Sequence, residues 1–212
     1  MPRKTSKKFA AAFRASAAIG IPEPSPAPPR TAASDTLVRI DLDRQRLELH
    51  VDGEVRGTWP VSTAVNGPGE LEGSECTPRG RHVIRAKIGA GAPPGSVFVG
   101  RRPTGERYTP ALGAAHPDRD WILTRILWLS GAEPGRNRLG RVDTMRRLIY
   151  IHGCPDDVDM TVPGSHGCIR MRNDDVIDLF DRVEAGTRVV IEAHVPGQDA
   201  SERISGSRLV RS

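Results

Sequence analysis

The chain has 212 residues, 37% hydrophobic and 27% charged, which supports a buried core in one domain of ordinary size. No apolar run is long enough to cross a bilayer, so no transmembrane segment is expected. The formal net charge is +5, but residues 1–30 hold six basic residues against Glu23 alone; the remainder is balanced, which argues against a nucleic-acid reader with a positive folded body.

Residues 1–35 read as a basic, Pro-rich tail or a weak export segment. Arg3, Lys4, Lys7 and Lys8 suit an export signal, but Arg14 interrupts the mildly apolar stretch that follows. Five prolines between Pro22 and Pro29 favour an extended linker. A folded domain is expected over residues 36–194. Leu37, Ile40 and Leu42 mark a first strand, and Leu47, Leu49 and Val51 alternate with polar neighbours as a second. Asp52-Gly53 is a strong turn, and Val55 to Val65 completes an antiparallel meander. Asn66 to Arg81 is a loop. Val83–Ile88 and Val97–Val99 are short strands. Arg101 to Asp120 reads as one long polar loop, a length often used for a substrate wall or lid. Trp121–Leu129 is a central strand, with Trp121 and Trp128 in the core. Leu148–Ile151 is another buried strand, ending at His152-Gly153. Val176, Leu179, Phe180 and Val183 then define a helix face, with Asn173 as N-cap and Asp174 and Asp175 at the positive end of the dipole. Thr187–Ile191 returns to strand, and residues 195–212 read as a polar tail. The expected fold is mainly β, sandwich-like, with one capping helix. His50 and His82 are expected at the surface, and Arg101-Arg102 as a solvated pair.

Three cysteines, Cys76, Cys154 and Cys168, are too few and too odd in number for a disulfide framework. Two of them belong to a repeated pattern: His152-Gly153-Cys154 ends a strand, and Ser165-His166-Gly167-Cys168 lies in a loop before the helix. A thiol attacks a carbonyl as thiolate, with a free pKa of about 8.5, so it needs a base. His152, held by its strand, supplies one. Gly167 permits close backbone approach, and amides around Gly167 and Cys168 suit an oxyanion. Arg170 suits a substrate carboxylate or amide. Two other readings stay open at this level: a buried, inert Cys and His, and a zinc-stabilised binding module using two His-x-Cys pairs.

The stretch from Tyr150 to Arg172 resembles the signature of the L,D-transpeptidase catalytic domain of the YkuD type, in which a His is followed at a distance by Ser or Thr and then His-Gly-Cys. Thr77-Pro78-Arg79-Gly80 is similar to the family's Thr-Pro-x-Gly element. The resemblance implies that Cys168 attacks the third residue of a peptidoglycan stem tetrapeptide, releases D-alanine, and passes the acyl group to an amine for a 3→3 cross-link or to water. An amine-bearing acceptor protein is a further implied partner, and the cell envelope or periplasm the implied location. No cofactor or metal is implied. His152 matches the family's base, and the Gly153 carbonyl its orienter. Ser165 and His166 match pocket positions, Gly167 the oxyanion side, and Arg170 the substrate-binding position. Cys154 departs from the family's usual Thr or Ser; it reads as a small packing residue or as a partner for a reversible disulfide with Cys168.

Overall fold

The computed structural model describes residues 35–193. Strands β1 (Thr36–Asp41), β2 (Arg46–Val51) and β3 (Glu54–Pro60) form the antiparallel meander that alternation predicts. Asp52 and Gly53, at φ +52° and +84°, turn the chain between β2 and β3 with both residues in the left-handed region, which matches the twist of a two-residue hairpin. Strands β4 (Gly80–Ile88), β5 (Ser96–Val99), β6 (Arg102–Arg107) and β7 (Ile122–Gly131) follow, with the short helix α1 (Pro110–Ala115) before β7. Then come β8 (Tyr150–Gly153), β9 (Ile169–Met171), helix α2 (Asn173–Arg182) and β10 (Arg188–Glu192).

The strands form one hydrogen-bonded sheet in the order β3-β2-β1-β10-β4-β7-β5-β6. It branches at β7, which also pairs with β8, and β8 pairs with β9. Leu123 to Leu127 is buried without alternation, and this run includes Thr124 and Arg125, where the register against β8 shifts. One core gathers side chains from both parts of the sheet, among them Val38, Leu49, Leu127, Ile151, Ile169 and Val189, and α2 adds Val176, Leu179 and Phe180. The helix is held further by Lys87, whose ammonium donates to Val183 O (2.5 Å) and lies over the Phe180 ring.

Several expectations change. The third strand stops at Pro60, because residues 61–65 leave the meander and bridge to the later loop, Ser62 to Arg170 and Ala64 to Ser165. The span 101–120 is not one loop: it holds β6 and α1, whose start is built by Thr109 Oγ1 accepting from Leu112 N–H with Pro110 in the first turn. A second helix therefore joins the one expected. Asn173 is the first residue of α2 rather than its cap, and its side chain is used elsewhere. His82 is not a surface residue. It is buried, Thr144 Oγ1 lies 3.1 Å from its Nε2, and burial pushes its pKa down to about 4. His50 is half-buried beside Glu48. Arg101 is not solvated either: it stacks over the Trp128 ring at 4.2 Å and donates to the Tyr150 hydroxyl. Trp121 is buried as expected, whereas Trp128 is half-buried. The tails 1–34 and 194–212 lie outside the described residues.

Leu179 is fully buried against both parts of the core. Leu179→Ala removes its contacts and leaves a cavity that the sheet cannot fill, so it should lower the unfolding free energy by about 2–5 kcal/mol. A urea titration should show an earlier midpoint with an unchanged slope.

Candidate active site

The site is built on the short parallel pair β8–β9. Ile151 pairs with Ile169, His152 with Arg170 and Gly153 with Met171. Cys168 lies one step before β9 and faces Tyr150, whose backbone N–H donates to Cys168 Sγ (3.4 Å). Side chains alternate between the faces of a strand. Ile151, Ile169 and Met171 therefore enter the main core, while Tyr150, His152, Cys168 and Arg170 share the opposite face. His152 and Cys168 are diagonal neighbours on that face, an arrangement within reach of longer side chains.

His152 is 0% exposed. Its Nδ1 lies 2.8 Å from the Gly153 carbonyl oxygen, which only accepts, so the neutral ring carries its proton on Nδ1. The lone pair is left on Nε2, which is buried without a hydrogen-bond partner among the described residues. Burial pushes the imidazole pKa down, against the opposing pull of Asp120 and the Gly153 carbonyl. Burial also pushes the Cys168 thiol up to about 12, although part of the residue reaches solvent. The Tyr150 amide and the charges of Arg170 and Arg147 work against that rise, and Asp120 adds to it. Both groups are thus neutral at rest, with the proton on sulfur.

The loop before Cys168 is held from inside. Ser165 is buried; its hydroxyl donates to Cys168 O (2.6 Å) and accepts from Gly167 N–H (3.2 Å). In this structure the Gly167 amide therefore has the Ser165 hydroxyl as its partner. Gly167 sits at φ +127°, and a Cβ there would press on Ile149 at 3.0 Å and on Cys76 O at 3.3 Å, so the position excludes larger residues. Thr77, from the Thr-Pro-x-Gly segment, is fully buried and donates to Gly167 O (3.1 Å). Arg170 donates to Gly164 O and to Asp120 Oδ1, each at 2.7 Å, so its guanidinium is already engaged. His166 is exposed. With Arg170, Asp120 and Trp121 it lines a cavity of about 410 Å³.

Among the described residues, no group of three or more His, Cys, Asp or Glu side chains is gathered as metal ligands must be. The zinc reading fails on the placement of its four residues. Cys154 is buried and donates to Met171 O (3.3 Å), while His166 is exposed. Cys154, Cys168 and Cys76 are all free thiols.

Three residues here escaped sequence reasoning, and a fourth, Asn173, was read only as a helix cap. Asp120 ion-pairs with Arg170 and acts electrostatically on both His152 and Cys168. Arg147 donates to Gly69 O, Glu70 O and Cys76 O, which pins the 69–76 loop beside Gly167. Thr124 and Asn173 join β7 to the start of α2. Their only sequence signal is position: Asp120 borders the central strand, Arg147 precedes the buried one, and Asn173 opens the helix.

The sequence profile of the L,D-transpeptidase catalytic domain, YkuD, matches residues 35–191. The chain belongs to this family. It is similar to the Escherichia coli (strain K12) protein named "Probable L,D-transpeptidase ErfK/SrfK", 51% identical over 45 residues that cover 21% of this chain and 14% of that protein. It is also similar to "Probable L,D-transpeptidase YbiS" of the same strain, 46% identical over 43 residues that cover 20% of this chain and 14% of that protein. The likeness thus spans a minor part of either relative. Among solved structures, an L,D-transpeptidase from Mycobacterium smegmatis aligns at 21% identity and a TM-score of 0.45, over 76% of this chain and 59% of that one.

The raised thiol has a direct consequence for this L,D-transpeptidase domain. Thiolate is the species that alkylates. In the free protein, iodoacetamide labelling of Cys168 should keep rising by about tenfold per pH unit beyond pH 9, where an ordinary cysteine levels off. Peptide mass spectrometry over a pH series measures this; a plateau near pH 8 would contradict the neutral resting pair.

Proposed function

We propose that the chain is a peptidoglycan L,D-transpeptidase working through Cys168 and His152. The observation that carries the reading is the buried His152 ring: its Nδ1–H is fixed on Gly153 O, and its free Nε2 lies on the same strand face as Cys168. Membership of the L,D-transpeptidase catalytic domain family supplies the substrate class.

In this reading the thiol gives its proton to His152 Nε2 as Sγ adds to the carbonyl of the third stem residue. Neither group is charged beforehand, so ionisation accompanies attack. The oxyanion that forms needs donors already in place, because preorganised N–H groups stabilise developing charge without reorganisation. With the Gly167 amide held by Ser165, the Cys168 amide is the remaining candidate in this loop. Collapse breaks the amide bond, and the imidazolium protonates the departing amine of D-alanine. The acyl group is then a thioester on Cys168. An acceptor amine attacks it, His152 takes the amine proton, the C–S bond breaks and the thiolate is reprotonated. Water in place of the amine gives L,D-carboxypeptidase activity. Acceptors are an amine on a second stem or on a protein. The cavity lined by Asp120, Trp121, His166 and Arg170 is the proposed substrate wall. Arg170 meets a substrate carboxylate only by sharing or leaving Asp120. Such a substrate lies outside the cytoplasmic membrane, which places the working enzyme in the cell envelope, with roles in wall biogenesis and cell shape. No helix among the described residues is long and apolar enough to cross a membrane.

Incubation with a defined stem tetrapeptide should release D-alanine and leave a thioester mass adduct on the peptide containing Cys168. Cys168→Ala should abolish both, and His152→Gln should slow acylation by about 100- to 10,000-fold, the usual worth of a positioned general base. A carbapenem should acylate the same sulfur. Release of D-alanine by Cys168→Ala at the wild-type rate would refute the reading.

A further inference from the structure

β7 carries a fault directly opposite the site. Its register against β8 runs Leu123 to Gly153 and then Ile126 to His152, so Thr124 and Arg125 are extra residues facing the His152-Gly153 step. Bulges of this kind bend a strand and redirect what lies beside it. Thr124 takes φ +68°, a left-handed conformation that a β-branched residue adopts only when its surroundings impose it.

The surroundings do so through its hydroxyl. Thr124 Oγ1 accepts from Gly95 N–H (2.9 Å) and donates to Asn173 Oδ1. The Asn173 amide donates in turn to Cys154 O (3.0 Å) and Asp156 Oδ1 (3.0 Å). Asn173 opens α2 without capping it, so its side chain is wholly spent on this contact. Between the two lies Gly153. A Cβ on it would stand 2.7 Å from Asn173 Oδ1, 2.8 Å from Leu123 O and 3.1 Å from Thr124 Cβ. The carbonyl that receives His152 Nδ1–H therefore belongs to a residue gripped on both sides.

We propose that Thr124 and Asn173 are positioning residues for the reaction: together they clamp the Gly153 peptide and so hold His152 in the Nδ1–H tautomer, with Nε2 free for the thiol proton. Strain at Thr124 is the counterpart of that grip. The inference rests on the reading of His152 as the base, and it extends the site to β7 and α2, neither of which touches substrate in this scheme. A loosened Gly153 carbonyl lets the ring rotate or place its proton on Nε2, where it cannot accept from sulfur. Outer partners that orient a histidine in this way are typically worth about 10- to 100-fold in activity.

The test uses the full chain and two readouts. Thr124→Val keeps the β-branch and removes the hydroxyl; it should slow acylation of Cys168 by about 10- to 100-fold, with the loss in the rate constant and not in KM. Thr124→Ser restores the hydroxyl and should stay within about threefold of wild type, below the 10- to 100-fold loss. Imidazole nitrogen NMR, with His152 assigned by its loss in His152→Gln, should show one Nδ1–H tautomer in wild type and a mixture in Thr124→Val. Asn173→Ala should behave like Thr124→Val and carries the test if the latter does not fold. Wild-type rate and an unchanged tautomer in the folded variants would overturn the proposal, as would a rate loss that only follows the folded fraction by circular dichroism. If wild type forms no thioester while the tautomer still shifts in Thr124→Val, the clamp stands and the proposed reaction falls.

Discussion

The parallel register of β8 with β9 decides which side chains meet. With Ile151 opposite Ile169 and Gly153 opposite Met171, the apolar members of both strands turn into the main core. The polar members, His152, Cys168 and Arg170, are left on the other face. A slip of one residue in either strand would turn its polar members into the main core and its isoleucine out of it. The cost of burying those polar groups among hydrocarbon excludes that alternative. The same hydrophobic burial that docks α2 therefore leaves His152 and Cys168 on one strand face.

Burial then governs the electrostatics. Both His152 and Cys168 sit where charge is poorly solvated, and each is driven to its neutral form: the imidazole down, the thiol up to about 12. A preformed thiolate–imidazolium pair is disfavoured in such a setting unless closely compensated. The nearest compensating charges, Asp120 and Arg170, are bound to each other and largely offset one another. A neutral thiol is a weaker nucleophile than a thiolate, so burial favours the less reactive form of Cys168 at rest.

Around this pair, the supporting contacts come from distant parts of the chain. Thr77 reaches Gly167, Ser62 bridges to Arg170, Arg147 ties down residues 69–76, and Asn173 closes on Gly153. Those of Thr77 and Arg147 run from side chain to backbone and that of Ser62 from backbone to backbone, and they satisfy carbonyls and amides that loops leave unpaired. The protein spends buried hydroxyls and guanidinium groups on loop geometry. These contacts brace the loop that leads through Cys168 into the three-residue β9.

Much was legible from residue order alone. Alternation marked β2, Asp52-Gly53 marked the turn from β2 to β3, a strongly apolar run marked β7, and the 3.6-residue period marked α2, since these patterns follow from local geometry and burial. The spacing of His152 and Cys168, with the Ser-His-Gly-Cys run, pointed to thiol chemistry before any fold was known. Other features belonged to the tertiary structure. β6 and α1 were hidden by scattered Gly and Pro; His82 was hidden because a polar residue shows no sign of burial in sequence. Ser165 was expected to shape the pocket, but only the fold shows that it takes the Gly167 amide. Thr124, Asn173, Asp120 and Arg147 carried no periodic signal, because what they do depends on partners tens of residues away. Sequence by itself nominated the residues for thiol chemistry and marked most of the strands and the longer helix. Only the tertiary structure decided the proton's place on His152, the protonation of Cys168 and the residues that hold them. Tautomer and pKa are set by burial and by hydrogen-bond partners, and those exist only once β7, β8, β9 and α2 have packed together.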